Sequence, residues 1–300
     1  MPNADFVIAV DLGGTKLAAA AVDRSGIIHF RQKTPVARAG IVECARQIAG
    51  MVDTCAKCVF SERNVSAVGL IVPGIYKPDT GDVWAPNLWG QQDVPLRSEL
   101  ERVLPYPLVM DNDRAGYVLG EQWRGAARGF NNVVFLAVGT GIGAGILIDG
   151  RPVHGTGGVA GAVGWFRFAG PDHDIYKQVG CWEAEAAGPA LARRAGTNSA
   201  EEAFQAAGRG DQHALAAIET TAEYLALGVA NLISILNPEI VVLGGGLMQQ
   251  GSRFLDSIRT KALDWSQPVA AQQVRIELTQ LCEDAGLLGA AWLAWQHVHS

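Results

Sequence analysis

The chain has 300 residues, 49% hydrophobic and 18% charged, which is enough for a large core and about two domains and too apolar for a disordered chain. Its formal net charge of −6 argues against nucleic acid as a main partner, because duplex binding needs a concentrated basic surface. No stretch approaches the roughly 20 apolar residues of a membrane span, no basic and apolar leader precedes the first strand, and five cysteines fit a reducing cytoplasm better than a disulfide framework.

Val7-Ile8-Ala9-Val10 reads as a buried strand that turns through Asp11-Leu12-Gly13-Gly14-Thr15-Lys16. Successive N–H groups in such a turn form a concave donor surface for phosphate oxygens, with Asp11 placed beside a phosphate-bound Mg²⁺. An ordinary hairpin fits the same residues, since Leu17–Val22 reads as a second strand and Ile27–Lys33 as a third. A helix follows near 40–61, where Ile41, Cys44, Ile48, Met51, Val52, Cys55 and Val59 recur at helical spacing. That spacing sends Cys55 and Cys58 into the core as filling, and no second Cys or Cys/His pair accompanies them to make a metal or redox site.

Ala67–Val72 is then a buried strand ended by Pro73-Gly74, Pro107–Met110 a short strand, and Arg114–Gly125 a helix. The opening pattern restarts at Val133–Val138, with a Gly139-Thr140-Gly141-Ile142-Gly143 turn, a return strand to Ile148 and a turn at Asp149-Gly150. This echo predicts two related α/β domains, each offering one phosphate-binding hairpin to a shared cleft. Residues 200–237 read as helical, stopped by Asn237-Pro238. The strand at Ile240–Leu243 opens into Gly244-Gly245-Gly246, which suits either a planar ligand against the backbone or close packing. After a strand at Val274–Leu278, a helix of small residues runs from Asp284-Ala285-Gly286 to the C-terminus.

Taken together and in order, these pieces resemble the ROK family, which comprises sugar kinases and related repressors on the actin/hexokinase-like fold. The resemblance runs from Asp11 to Ala290 and includes Val72-Pro73-Gly74, Ala85-Pro86-Asn87-Leu88, Asn112-Asp113, Gly180-Cys181-Trp182-Glu183 and Asn237-Pro238. It implies two duplicated ribonuclease H-like domains at about 1–113 and 114–285, with the helix at about 286–300 packing back on the first. By the same resemblance, Asp11, Gly13, Gly14, Thr15 and Lys16 with Gly139, Thr140, Gly141 and Gly143 grip the ATP phosphates. Asp11 organises Mg²⁺ directly or through water, and Gly244, Gly245 and Gly246 receive the adenosine. Asn87, Asn112, Asp113 and Glu183 hold the acceptor hydroxyls, with Asp113 as general base. Chemistry supports that role: the attacking hydroxyl must lose a proton, and a loose transition state needs alignment and charge neutralisation most. A different reading has Asp111-Asn112-Asp113 merely cap the following helix.

The family's usual Gly-Glu-x-Gly-His reads Gly161-Ala162-Val163-Gly164-Trp165 here, and of its three-cysteine zinc motif only Cys181 remains. One thiolate cannot build a tetrahedral site, so no structural zinc is expected, and Trp165, Phe166, Phe168, Tyr176 and Trp182 would order this lobe by packing. Ala162 removes a sugar-binding carboxylate, so ordinary glucose should bind poorly unless another group substitutes. Trp165 either stacks on the acceptor or plugs space. The expected acceptor is therefore a sugar, amino sugar, glycoside or cyclitol, phosphorylated in the cytoplasm by a homodimer. The alternatives are a catalytically weak or inactive sugar-sensing regulatory protein of the same fold, and a kinase using polyphosphate as donor.

Overall fold

The computed structural model describes residues 6–59 and 65–298. It resolves into two compact units, the first comprising Met1–Arg128, His154–Val159 and Glu283–Ser300, and the second Gly129–Val153 and Ala160–Cys282.

In the first unit, β1 (Phe6–Leu12), β2 (Lys16–Asp23), β3 (Ile28–Pro35), β4 (Val65–Val72) and β5 (Leu108–Asn112) form one sheet in the order β3-β2-β1-β4-β5. β1, β2 and β3 are antiparallel neighbours, whereas β4 and β5 run parallel to β1. The central strands are apolar on both faces, as covered parallel strands must be, while β3 alternates half-buried and exposed residues as an edge. The helix Ile41–Cys58 covers one face with Cys44, Ile48, Met51, Val52 and Cys55. Cys58 is exposed, contrary to the expected core position, because the apolar stripe continues at Val59 rather than three residues after Cys55. The expected end of this helix at 61 lies outside the described residues.

The C-terminal helix, Ala285–Val298, covers the other face. Small residues make this possible: a Cβ on Gly69 would collide with the Ala290 carbonyl, and one on Gly289 with the Gly116 backbone. The helix Asp113–Arg124 joins this stack through Gly116 and Gly120, so it belongs to the first unit. The boundary expected at 113/114 therefore moves to 128/129, since backbone-to-backbone packing holds that helix to the C-terminal one.

The second unit repeats the plan. Strands β6 (Val133–Val138), β7 (Ile142–Ile148), β8 (Arg151–Pro152), β9 (Ile240–Gly244) and β10 (Arg275–Leu278) lie in the order β8-β7-β6-β9-β10, with the same parallel and antiparallel senses. The helical region 200–237 is two helices, Ala200–Gly208 and Gln212–Leu236. Gly210 at φ 87° breaks the run, and Asp211 restarts it by accepting hydrogen bonds from the His213 and Ala214 N–H groups. Asn237 in the left-handed region then ends the long helix, as its Asn-Pro sequence predicts. No described helix is long and apolar enough to cross a membrane.

Candidate active site

Parallel strands bring their carboxyl ends to one edge, and in the first unit that edge collects the polar residues. Asp11 pairs in register with Ile71, and Ile71 with Asp111, so Asp11, Val72-Pro73-Gly74 and Asn112-Asp113 emerge side by side. The β1–β2 turn is closed by the Gly13 N–H donating to the Lys16 carbonyl at 2.9 Å. Thr15 and Lys16 are exposed there, and a Cβ on Gly14 would meet nothing. Gly14 also lacks a positive φ, so neither packing nor backbone strain accounts for its missing side chain. An open backbone surface of this kind fits an incoming phosphate.

The three residues of Asp111-Asn112-Asp113 divide their work. Asn112 is the helix cap, its side-chain oxygen accepting from the Ala115 N–H at 2.9 Å. Asp111 is buried, accepting from the Asn112 N–H at 2.7 Å and from His154 Nε2 at 2.8 Å. Asp113 opens the helix with its carboxylate accepting from its own N–H group and that of Arg114. Desolvation pushes the Asp113 carboxyl up to about 6, against the pull of the Arg114 charge. Asp11 is pushed up to about 7, first by burial, then by repulsion from Asp113, with Lys33 opposing. Its carboxylate lies against the start of the C-terminal helix, where a Cβ on Gly286 would collide with it. The Tyr117 hydroxyl is raised by burial and by both carboxylates. This corner therefore carries more negative charge than its desolvated surroundings favour, which suits a hard divalent cation with oxygen ligands. Asn87 lies exposed on the short helix Pro86–Trp89, next to Ala85, against which Gly74 packs.

In the second unit the ends of β6 and β9 meet. Gly139 donates to the Gly141 carbonyl at 2.9 Å, and its own carbonyl accepts from the Gly188 N–H at 2.8 Å. Gly245, at φ 90°, packs on the Val138 backbone, and Gly244 packs on the Phe135 ring. Gly246 is different: a Cβ there would meet nothing, although a Cβ on Gly139 would lie 3.6 Å from the Gly246 nitrogen. Thr140 is exposed at the tip and Gly143 is half-buried on β7. Glu183, on the helix Cys181–Ala186, sends its Oε2 to the Ile142 N–H at 2.8 Å and rests against Gly141 and Gly164. Burial raises its carboxyl, and the Ile142 hydrogen bond works against that rise. Glu183 thus buttresses the second hairpin, a task its expected role at the acceptor did not include.

The ROK family model matches residues 7–297. The chain belongs to the ROK family. A glucokinase of Halalkalibacterium halodurans is 31% identical, over 98% of this chain and 96% of that protein. A solved ROK hexokinase from Thermus thermophilus superposes with TM-score 0.83 at 31% identity, covering 98% and 99% of the two chains. A ROK glucokinase from Streptomyces griseus, solved with glucose and AMPPNP, gives TM-score 0.79 at 29% identity over 97% and 99%.

Against the ROK pattern, the lobe around Cys181 is built from rings. Phe166 stacks on the fully buried Trp182 at 5.6 Å, Phe168 meets it edge-on at 6.3 Å, and Trp182 Nε1 donates to the Tyr224 carbonyl at 2.8 Å. Tyr176 takes a different partner, donating to Glu185 at 2.7 Å, and Arg194 holds the same carboxylate at 2.9 Å. Trp165 departs from the expected packing. It is 57% exposed and stacks on no ring among the described residues, because its 3₁₀ turn Val163–Trp165 aims it away from the cluster. Among the described residues, no three His, Cys, Asp or Glu side chains gather as a metal group. Three residues of the first-unit corner went unread in the sequence: His154, Arg114 and Tyr117. Asp111 was legible only as part of a polar triplet, and a loop histidine 43 positions downstream of it gave no signal.

Proposed function

We propose that this ROK protein, an ATP-dependent carbohydrate kinase, phosphorylates a hydroxyl of a sugar-like polyol with Asp113 as general base. The observation that carries the reading is the state of Asp113. Asn112 relieves it of capping, and burial raises its affinity for a proton toward the range where a base both accepts and releases one near neutrality. Asp113 orients the acceptor hydroxyl and takes its proton as the oxygen attacks the γ-phosphorus. Asn112 retains its amide NH₂ for a neighbouring hydroxyl, and Asn87 and Glu183 supply further polar contacts. Asp11 would hold Mg²⁺, directly or through water, and the ion would neutralise charge on the transferring group. The turn Gly13–Lys16 and the turn Gly139–Gly143 supply backbone N–H groups to the phosphates, and Gly244–Gly246 take the adenosine.

Acceptor choice rests on Ala162 and Trp165. With no carboxylate at 162, the exposed indole offers a flat apolar face to the C–H surface of a sugar, glycoside, amino sugar or cyclitol, plus one N–H donor. The test is ADP release with Mg-ATP over glucose, N-acetylated amino sugars, methyl glycosides and inositols, with polyphosphate run as the rival donor. Turnover of at least one acceptor with ATP is expected. Silence across the panel, with ATP still bound, would replace this reading by a sugar-sensing one.

A further inference from the structure

The residues His154–Val159 belong to the first unit, although the chain on either side of them belongs to the second. This strap is pinned at both ends by the residues that flank the candidate base. At its start, His154 Nε2 lies 2.8 and 3.0 Å from the two oxygens of Asp111. At its end, Arg114 donates to the Gly158 carbonyl at 3.2 Å, and the same nitrogen donates to the Gly74 carbonyl at 3.3 Å. Gly158, at φ 75°, also packs tightly on the Tyr76 carbonyl, so the strap has little freedom to slide. Asp111 is buried, and besides His154 its hydrogen-bond donor is the N–H of Asn112, the residue that caps the helix beginning at Asp113. A buried carboxylate costs free energy unless its oxygens are satisfied, and here the histidine supplies the only side-chain donor among the described residues.

We propose that His154 is a positioning residue for phosphoryl transfer: it clasps Asp111 and thereby fixes the Asn112-Asp113 corner at the geometry that in-line attack requires. This rests on the kinase reading with Asp113 as base. His154 acts through Asp111 and not by touching acceptor or nucleotide. Two charged groups face the imidazole. Among the described residues, those that act on it are Asp111 from β5 and Arg114 from the helix Asp113–Arg124. The hydrogen bond to Asp111 holds the imidazole above its ordinary pKa, with burial and Arg114 opposing. The clasp is therefore charge-assisted below the ordinary histidine range and weakens to a neutral hydrogen bond as pH rises through the raised value.

His154→Ala and His154→Gln separate positioning from mere packing, with Asp113→Asn as the reference and kinetics read from pH 6 to 9 on the best acceptor of the panel above. His154→Ala is expected to lower kcat about 10-fold or more, leaving KM for ATP unchanged, because small misplacements of reacting groups cost that much. His154→Gln keeps a neutral donor in reach of Asp111, so it should recover most of the loss and flatten the alkaline limb of the wild-type profile. Thermal unfolding of both variants reports folding, and the glutamine variant carries the test if the alanine one unfolds. Wild-type kcat in His154→Ala across the pH range would overturn the proposal, as would a loss that glutamine does not recover. A wild-type protein that transfers to no acceptor overturns the kinase reading and this proposal with it; turnover insensitive to His154 overturns this one alone.

Discussion

The two units are built on one sheet plan, yet they divide the chemistry unevenly. The first ends its strands in ionisable groups: Asp11, Asp111, Asp113, Arg114 and Tyr117, with His154 brought to them by the strap. The second ends its strands in glycine backbone, and its nearest carboxylate, Glu183, is spent on holding a turn. The turns differ accordingly. Each closes on itself, through Gly13 and Lys16 in the first unit and Gly139 and Gly141 in the second, but the first is held from outside by Arg38 and the Val36 N–H and the second by the Glu183 carboxylate and the Gly188 N–H. One strand plan thus carries a corner of ionisable groups in the first unit and a turn of glycine backbone in the second.

The comparison is broken most severely at Asp113. Asp113→Asn should lower kcat by roughly 10²–10⁴-fold, the usual contribution of a general base, with acceptor KM changed little. The pH dependence has a definite sign. A base raised to about 6 must be ionised to work, so wild-type kcat should fall on the acid side of that value. Stability runs the other way. Asp113 and Asp11 both bind protons more tightly folded than unfolded, so their contribution is fully present below pH 4 and is lost as pH rises toward 6 and 7. Unfolding and turnover measured across pH 4–8 would check both signs; a rate that stays flat through pH 6 would remove Asp113 from the role.

How much of this was legible follows the same division. The strands, both turns and the glycine run announce themselves in short-range pattern, because periodicity and turn chemistry are local. The Asn112-Asp113 corner was legible as a residue pair, but its internal division of labour was not, since capping and catalysis use the same residue types. The placement of the helix Asp113–Arg124 in the first unit depends on Gly116 and Gly120 meeting a helix over 160 residues away, which no local pattern encodes. The clasp between His154 and Asp111 is equally non-local. Cys58 failed for a simpler reason: an apolar residue type was read as buried, and the helix end pointed it outward; at Trp165 the exposure of the ring counts against the packing alternative and leaves acceptor stacking open.

In the cradle, Glu183 is the largest expected effect after Asp113. Glu183→Ala leaves the Ile142 N–H without its partner and opens space against Gly141 and Gly164. KM for ATP should rise about 10-fold, the usual cost of an unsatisfied donor, and more than acceptor KM does. A change confined to acceptor KM would return Glu183 to a purely acceptor role. The glycines sharpen the point further. Gly246→Ala should fold normally and weaken ATP about 10-fold, the cost of overfilling a fitted contact. Gly245→Ala faces a positive φ and the Val138 backbone, so it should lose about 1–3 kcal/mol of stability instead. Equal stability loss in both variants would mean that Gly246 serves packing rather than a ligand.

The smallest expected effect lies at Trp165. An exposed indole contributes little to folding, so Trp165→Ala should leave the unfolding midpoint nearly unchanged. If its face receives the acceptor, the stacking lost is about 0.5–1.5 kcal/mol, a rise of roughly 2- to 12-fold in acceptor KM. ATP KM should stay constant, because the ring projects from the Val163–Trp165 turn and not from either glycine turn. Trp165→Phe keeps the flat face but removes the N–H, so it should restore most of the acceptor affinity if stacking dominates and little if the hydrogen bond does. An unfolding midpoint that drops sharply in Trp165→Ala, with kinetics untouched, would instead identify the ring as a support of the aromatic lobe around Trp182 and leave acceptor choice to the empty position at Ala162.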